Sequence, residues 1–199
     1  DQLNSLSRRQ HAILTGMGLK HAHIDMMKNA SCARAGRISI VSYAIGKDFL
    51  LGTPGSGGVG SLLEAVKAGV KVDIIIGSKY SKTLTTGMVL GPDKGTQEAL
   101  EAFSEQVRAL GYGDRINIVT DSTALIHAKS TIFTYDNTST AIFGSANLDN
   151  EQFNSYYEKV EGRDYWGDIR NLGIVLTSTR GRGELDLDIS DDLDKQHRL

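Results

Sequence analysis

The period of the hydrophobic pattern changes several times along the chain, and each change marks an element. Residues 38–45, ISIVSYAI, are dense in β-branched and apolar side chains and predict a buried strand. A glycine-rich stretch at 52–60 follows. Ser61 then opens a helix, with Glu64 three residues on completing a capping box. Leu62, Leu63, Val66 and Val70 form that helix's apolar side, and Gly69 is its stop. VKVDIIIG predicts a second strand. Leu100, Phe103, Val107 and Leu110 return at helical spacing, Gly111 ends the helix, and RINIVT predicts a third strand leading into ALIHAKSTIF. Residues 5–35 read as mostly helical with an interruption at TGMG, and LGIVLTS at 172–178 reads as a last strand. Strands alternating with helices predict an α/β fold, a mixed central sheet with helices on both faces.

Composition narrows this picture. At 199 residues, with 40% hydrophobic and 23% charged, the chain fits one domain with its own core. The core is expected over about 38–178, preceded by the helical segment 1–35 and followed by a polar, acidic tail at 183–199. Cys32 is the one cysteine, so no internal disulfide forms, which fits a reducing, cytoplasmic setting. No apolar run approaches the ~18 residues of a membrane span, and no basic-plus-apolar leader opens the sequence. Net charge is −2. A surface that binds nucleic acid broadly carries a basic excess, so an anionic partner here has to be met by a local cluster.

Several candidate sites give way to plainer readings. Gly55, Gly57 and Gly60 spell G-x-G-x-x-G ahead of a helix. The fingerprint lies too far from the preceding strand, however, and the next strand ends in Ser78 and Lys79 where a ribose-binding acid belongs. A loop before a helix explains it better. His21 and His23, with Asp25 nearby, suggest a metal, yet residues two apart on a helix face away from each other. They read as surface helix histidines. Asp186, Asp188, Asp191 and Asp192 lack the glycine and terminal glutamate of a calcium loop. No metal and no cofactor is expected.

The stretch LIHAKSTIFTYDNTSTAIFGSANLDN, residues 125–150, is different. Two apolar runs flank a polar turn, so His127 and Lys129 share one strand face, and Ser145 and Asn147 share another. A hairpin would bring the four together. Such a set suits a phosphate: the lysine neutralises charge, serine and asparagine donate to non-bridging oxygens, and the histidine attacks phosphorus or protonates a leaving oxygen. A core histidine beside a snorkelling lysine is the plainer alternative.

Taken with Gly144 and with Glu158, eleven residues after Asn147, the segment HAKSTIF…AIFGSANLDNEQFNSYYE resembles the signature of the phospholipase D superfamily. That pattern is H-x-K-x4-D followed by G-[ST]-x-N and a later glutamate. The position that it assigns to aspartate is Thr134, and the nearest acid, Asp136, falls in the hairpin turn. The resemblance implies a phospholipase D-like fold and a metal-independent phosphodiesterase. His127 would form a covalent phosphohistidine, a second histidine would protonate the leaving oxygen, and Glu158 would orient one imidazole. Since His11, His21, His23 and His197 lie in no second H-x-K, the resemblance implies a homodimer with a shared site.

Single-motif members of that family are mainly small nucleases, which ranks nuclease first, with DNA ahead of RNA. Lys79 and Lys82 are candidates to support phosphate at the C-terminal end of the second strand, and Arg163, Arg170, Arg180 and Arg182 for its rim. The alternatives are a phospholipase D or phosphatidyltransferase acting on phospholipid, because GSANLD with NSYYE resembles the cardiolipin-synthase branch too, and a silent phosphate-binding scaffold.

Overall fold

The computed structural model describes residues 11–33, 35–52, 60–77, 79–83, 87–91, 94–120, 128–148, 155–160, 163–168 and 171–179. In chain order these form β1 (His11–Thr15), α1 (Gly16–Ala33), β2 (Arg37–Ser42), α2 (Lys47–Leu51), α3 (Leu62–Lys67), β3 (Lys71–Ile76), β4 (Lys79–Thr83), β5 (Gly87–Gly91) and α4 (Lys94–Ala109). A 3₁₀ turn at Gly113–Arg115 leads to β6 (Ile116–Thr120), then β7 (Ser130–Thr134), β8 (Thr138–Gly144), β9 (Ser155–Val160), β10 (Arg163–Asp168) and β11 (Leu172–Thr179).

Seven strands make one mixed sheet in the order β1-β11-β8-β7-β2-β3-β6. β2, β3 and β6 run parallel, as strand–helix–strand units require. β7, β8, β11 and β1 add on antiparallel. Two antiparallel ribbons, β4–β5 and β9–β10, stand apart from the sheet.

Alternation along the strands decides which side chains meet the helices. Ile38 and Ile40, Val72, Ile74 and Ile76, Phe133, Ile142 and Val175 share a core with Leu19 and Met27 of α1, Phe49 of α2, Leu62 of α3 and Phe103 of α4. The α/β class and the mixed sheet stand as expected, while the helices among the described residues all pack on one face of the sheet rather than on both. On the other face Ile132 and Ala141 pack with Phe143, while Ile13, Leu172 and Ile174 are exposed.

Local signals behave as the sequence suggests. The hydroxyl of Ser61 accepts from the Glu64 N–H at 3.3 Å, and Gly69 and Gly111 end their helices at positive φ. Gly60 also has positive φ (+79°), and a Cβ there would come within 2.9 Å of Ile24 on α1. That glycine lets the chain pass close to a helix. Gly55 and Gly57 lie outside the described residues.

Two further, local readings need correction. Residues 11–15 form a strand, and α1 begins within the TGMG interruption. Pairing with β11, Ile13 opposite Ile174, overrides the local helical preference. Leu110 is 43% exposed because α4 stops at Ala109. Among the described residues no helix is long and apolar enough to cross a membrane.

Candidate active site

β7 and β8 form the expected hairpin through the turn Tyr135–Asn137, where Asp136 is exposed. Their pairing runs back to Ser130 opposite Phe143. One step further, the Gly144 N–H donates to the Lys129 carbonyl at 3.1 Å. Lys129 just before β7 and Ser145–Asn147 just after β8 are thereby fixed side by side. They lie at the end of the sheet where parallel β2 finishes, the edge at which α/β sheets hold ligands. Tyr43, following β2, has its ring centroid 5.9 Å from Lys129 Nζ, at the outer limit of a cation–π contact. A bridge between Ile45 and Leu148, and a bond from Gly46 N–H to the Leu148 carbonyl at 2.8 Å, tie the segment after β2 to the segment after β8.

Glycine is needed in the second motif for close approach. Gly144 stands opposite Gly173 of β11, and a Cβ on Gly144 would lie 2.7 Å from the Leu172 carbonyl oxygen. A backbone oxygen cannot swing away as a side chain does. Gly144→Ala is therefore expected to destabilise the fold by about 2–3 kcal/mol, seen as a Tm several degrees lower in a thermal melt, and to displace Lys129 and Asn147. An unchanged Tm would contradict this reading. Ser145 completes the same turn: its hydroxyl donates to Asn171 Oδ1 at 2.8 Å and accepts from the Leu172 N–H at 3.1 Å, while its own N–H donates to the Leu172 carbonyl at 3.0 Å. In this arrangement the Ser145 hydroxyl holds the loop.

Electrostatically, Lys129 is the prominent group. Desolvation holds its ammonium below the ordinary lysine range. A rate that needs the charged form should therefore fall on the alkaline side earlier than an exposed lysine would dictate, which a pH–rate profile of wild type against Lys129→Arg measures. Asn147 Oδ1 is buried with no hydrogen-bond partner among the described residues. Such an acceptor costs stability unless a ligand or a protonated group supplies a donor.

Thr134, at the motif's aspartate position, lies at the far end of β7, five residues and roughly 16 Å of strand from Lys129. Its hydroxyl is buried, also with no partner among the described residues. Its register partner is Arg37, whose Nε meets Asp73 at 3.2 Å. The missing carboxylate is thus remote from the lysine, and the arginine across the pair takes its carboxylate from β3.

His21 is exposed, as expected of a surface histidine. His23 is not: it is 5% exposed, with its Nδ1–H donating to the Leu19 carbonyl at 2.9 Å and its ring edge-on to Phe49. One side of α1 faces the sheet, and His23 lies on that side. Among the described residues no group of side chains could hold a metal ion. Burial lowers the His23 pKa to about 4. Below 6.5 the unfolded chain binds a proton that the native ring refuses, so stability falls as pH drops from about 6.5 to about 4, by about 3 kcal/mol for this group. Urea titrations across that range should show the loss, and His23→Gln should remove it.

His127 lies outside the described residues. Glu158 is on β9, opposite Tyr165 of β10, and Lys79 and Lys82 are on β4, paired with Gly91 and Met88; the side chains of these three are not described. Arg163 opens β10, while Arg170, Arg180 and Arg182 and the acidic tail lie outside the described residues. The structure thus brings together Lys129, Ser145 and Asn147. It adds Tyr43, Asn171 and His23, which sequence reasoning did not assign to the site. Tyr43 had a signal, its position just past the C-terminal end of a parallel strand. Asn171, 26 residues from Ser145, had none.

Comparison with known proteins fits this geometry. Residues 24–160 match the family described as "Cardiolipin synthase, PLD-like domain". A search of curated proteins found no match. Among solved structures, NucT from Helicobacter pylori superposes with a TM-score of 0.50 at 11% identity, covering 94% of this chain and 92% of that one. Polyphosphate kinase from Porphyromonas gingivalis gives 0.53 at 15% identity, over 94% of this chain; the chain spans only 23% of that protein. At such identities the two structures speak for the fold alone, whereas the family match covers more than half of the residues: the chain belongs to the phospholipase D-like family.

Proposed function

We propose that this protein is a metal-independent phosphodiesterase, a nuclease acting on DNA in preference to RNA, with its site shared between two copies of the chain. The observation that carries the reading is the Gly144–Lys129 backbone bond, which joins the lysine of one motif to the asparagine loop of the other. Lys129 neutralises a non-bridging oxygen, and the Asn147 amide fixes the phosphate. His127 attacks phosphorus, forming the N–P bond as the bond to the leaving oxygen breaks; a second imidazole gives that oxygen its proton. Water then attacks phosphorus, its proton passes to the second imidazole, and the N–P bond breaks. Glu158 orients one of the two rings. Ser145 holds the loop, and Lys79 and Lys82 belong to the phosphate-binding rim.

The second imidazole comes from another copy. His23 faces a cavity of about 10 Å³, too small for a phosphate, and its Nδ1–H is committed to Leu19. His21 is exposed on α1.

A phospholipid substrate is the second reading. The matched family is described by a cardiolipin synthase, and Leu172, bonded to Ser145 through its backbone, is 50% exposed beside Ile174. Incubation in EDTA with plasmid DNA, RNA or phospholipid vesicles separates the readings. DNA cleavage without vesicle hydrolysis is expected; the reverse transfers the chemistry to lipid, and cleavage of none of the three leaves a phosphate-binding scaffold.

A further inference from the structure

The sheet ends at β6, and among the described residues no strand pairs with its outer edge. Natural edges are guarded by charge, proline or a bulge. Ile116–Thr120 has neither charge nor proline, and its register against β3 runs unbroken. The neighbouring charge is turned inward: Arg115 donates from Nη1 to the Val66 carbonyl at 2.8 Å and lies over the Tyr112 ring. Between this edge and α4 runs an open groove of about 450 Å³, with Leu100 and Ile118 along it. Val119 on β6 and Leu110 past the end of α4 are 45% and 43% exposed. The side of α4 that lines the groove carries Glu101, Ser104, Glu105 and Arg108. The three charged residues are exposed, and among the described residues none of them enters an ion pair.

We propose that this edge docks a second copy of the chain, β6 against β6 in antiparallel pairing and α4 alongside α4, about one two-fold axis. Charge argues for this occupant. Glu101 and Arg108 lie two turns, about 10 Å, apart on one stripe, too far to pair within the helix. When the helix is laid antiparallel to its own copy about the point between Ser104 and Glu105, Glu101 of each copy faces Arg108 of the other, and the Ser104 hydroxyl faces Glu105. The stripe is complementary to itself, as an isologous contact requires. The strand agrees in position. Ser104 and Glu105 lie about 7 Å back from the end of α4, and Ile118 about 7 Å into β6. All three line the same groove, so a single axis serves helix and strand. Pairing about Ile118 sets Ile116 opposite Thr120 and Asn117 opposite Val119, satisfies the outward backbone groups of β6 and covers part of Val119. The joined sheet is continuous across the two copies. Because the strands of the two copies then run in opposite directions, the Lys129 and Asn147 segments of one copy and of the other lie at opposite ends of it. This contact is therefore distinct from a shared active site, and it does not depend on the phosphodiester reading.

The test is the molar mass of the full chain by sedimentation across the micromolar range, for wild type, Arg108→Glu, Glu101→Arg and the double variant Glu101→Arg/Arg108→Glu. Either single reversal sets like charges face to face twice, and should weaken the edge association at least about ten-fold. Where the wild type is just saturated, the mass should then fall by half. The double variant should regain the wild-type mass, because the two positions exchange charge across the axis; a change in surface charge alone produces no such rescue. Hydrogen exchange gives a second readout: the outward amides of Ile116–Thr120 should exchange slowly in wild type and fast in Arg108→Glu. A fall from four copies to two retains both this contact and a shared active site, while a fall from two to one retains this contact and removes the shared site. The same mass in wild type and both single variants, or a double variant that stays as small as they are, overturns the proposal and leaves the groove to an extended segment of another protein.

Discussion

His127→Ala is expected to lower kcat/KM for phosphodiester cleavage by about ten-thousand-fold or more, with little change in Tm. Removal of a covalent nucleophile abolishes the pathway, and only binding and electrostatic help remain. Lys129 and Asn147 are held by the Gly144–Lys129 bond and by the Ser145–Asn171–Leu172 turn, so the variant should still bind product or a substrate analogue. That separates loss of chemistry from loss of the site. If DNA cleavage persists in His127→Ala, the nucleophile has been misassigned.

Lys129→Met is expected to cost about a thousand-fold in kcat/KM, the scale on which a single preorganised donor to a developing anion acts. The ammonium is already partly desolvated, which strengthens its pull on a phosphate oxygen relative to an exposed lysine. Lys129→Arg should recover only part of the loss. Guanidinium keeps its charge through the alkaline range but is planar and larger, and it has to pass Tyr43. Titration of product affinity against ionic strength supplies a second readout, because removing one phosphate contact lowers the salt dependence. Equal salt dependence in wild type and Lys129→Met would contradict a role for Lys129 in binding phosphate.

Much of the fold was legible because its signals are local. Ser61 with Glu64, the glycines at 69 and 111, and the β-branched and apolar density of β2 and β3 each act over a few residues, and the structure uses each as expected. Residues 11–15 were misread because a five-residue edge strand owes its state to β11, more than 150 positions away. His23 was misread for a related reason. Its spacing from His21 excluded chelation, but which side of α1 faces the sheet depends on how the helix lies across Gly144 and Gly173. Within the site, the hairpin and its paired motifs follow from sequence order. The holding of Ser145 by Asn171, and the supply of Asp73 to Arg37 opposite Thr134, depend on strand order and could not be read from spacing.

Sharing of one site by two copies is the claim that a single measurement tests most directly. Wild type and His127→Ala are mixed in equal amounts, unfolded and refolded together, and the DNA-cleaving activity is compared with that of the same total amount of wild type. If every site needs His127 from both chains, only dimers of two wild-type chains are active, and about one quarter of the activity survives. About one half surviving would mean that each chain works with its own histidines, and would contradict the shared site.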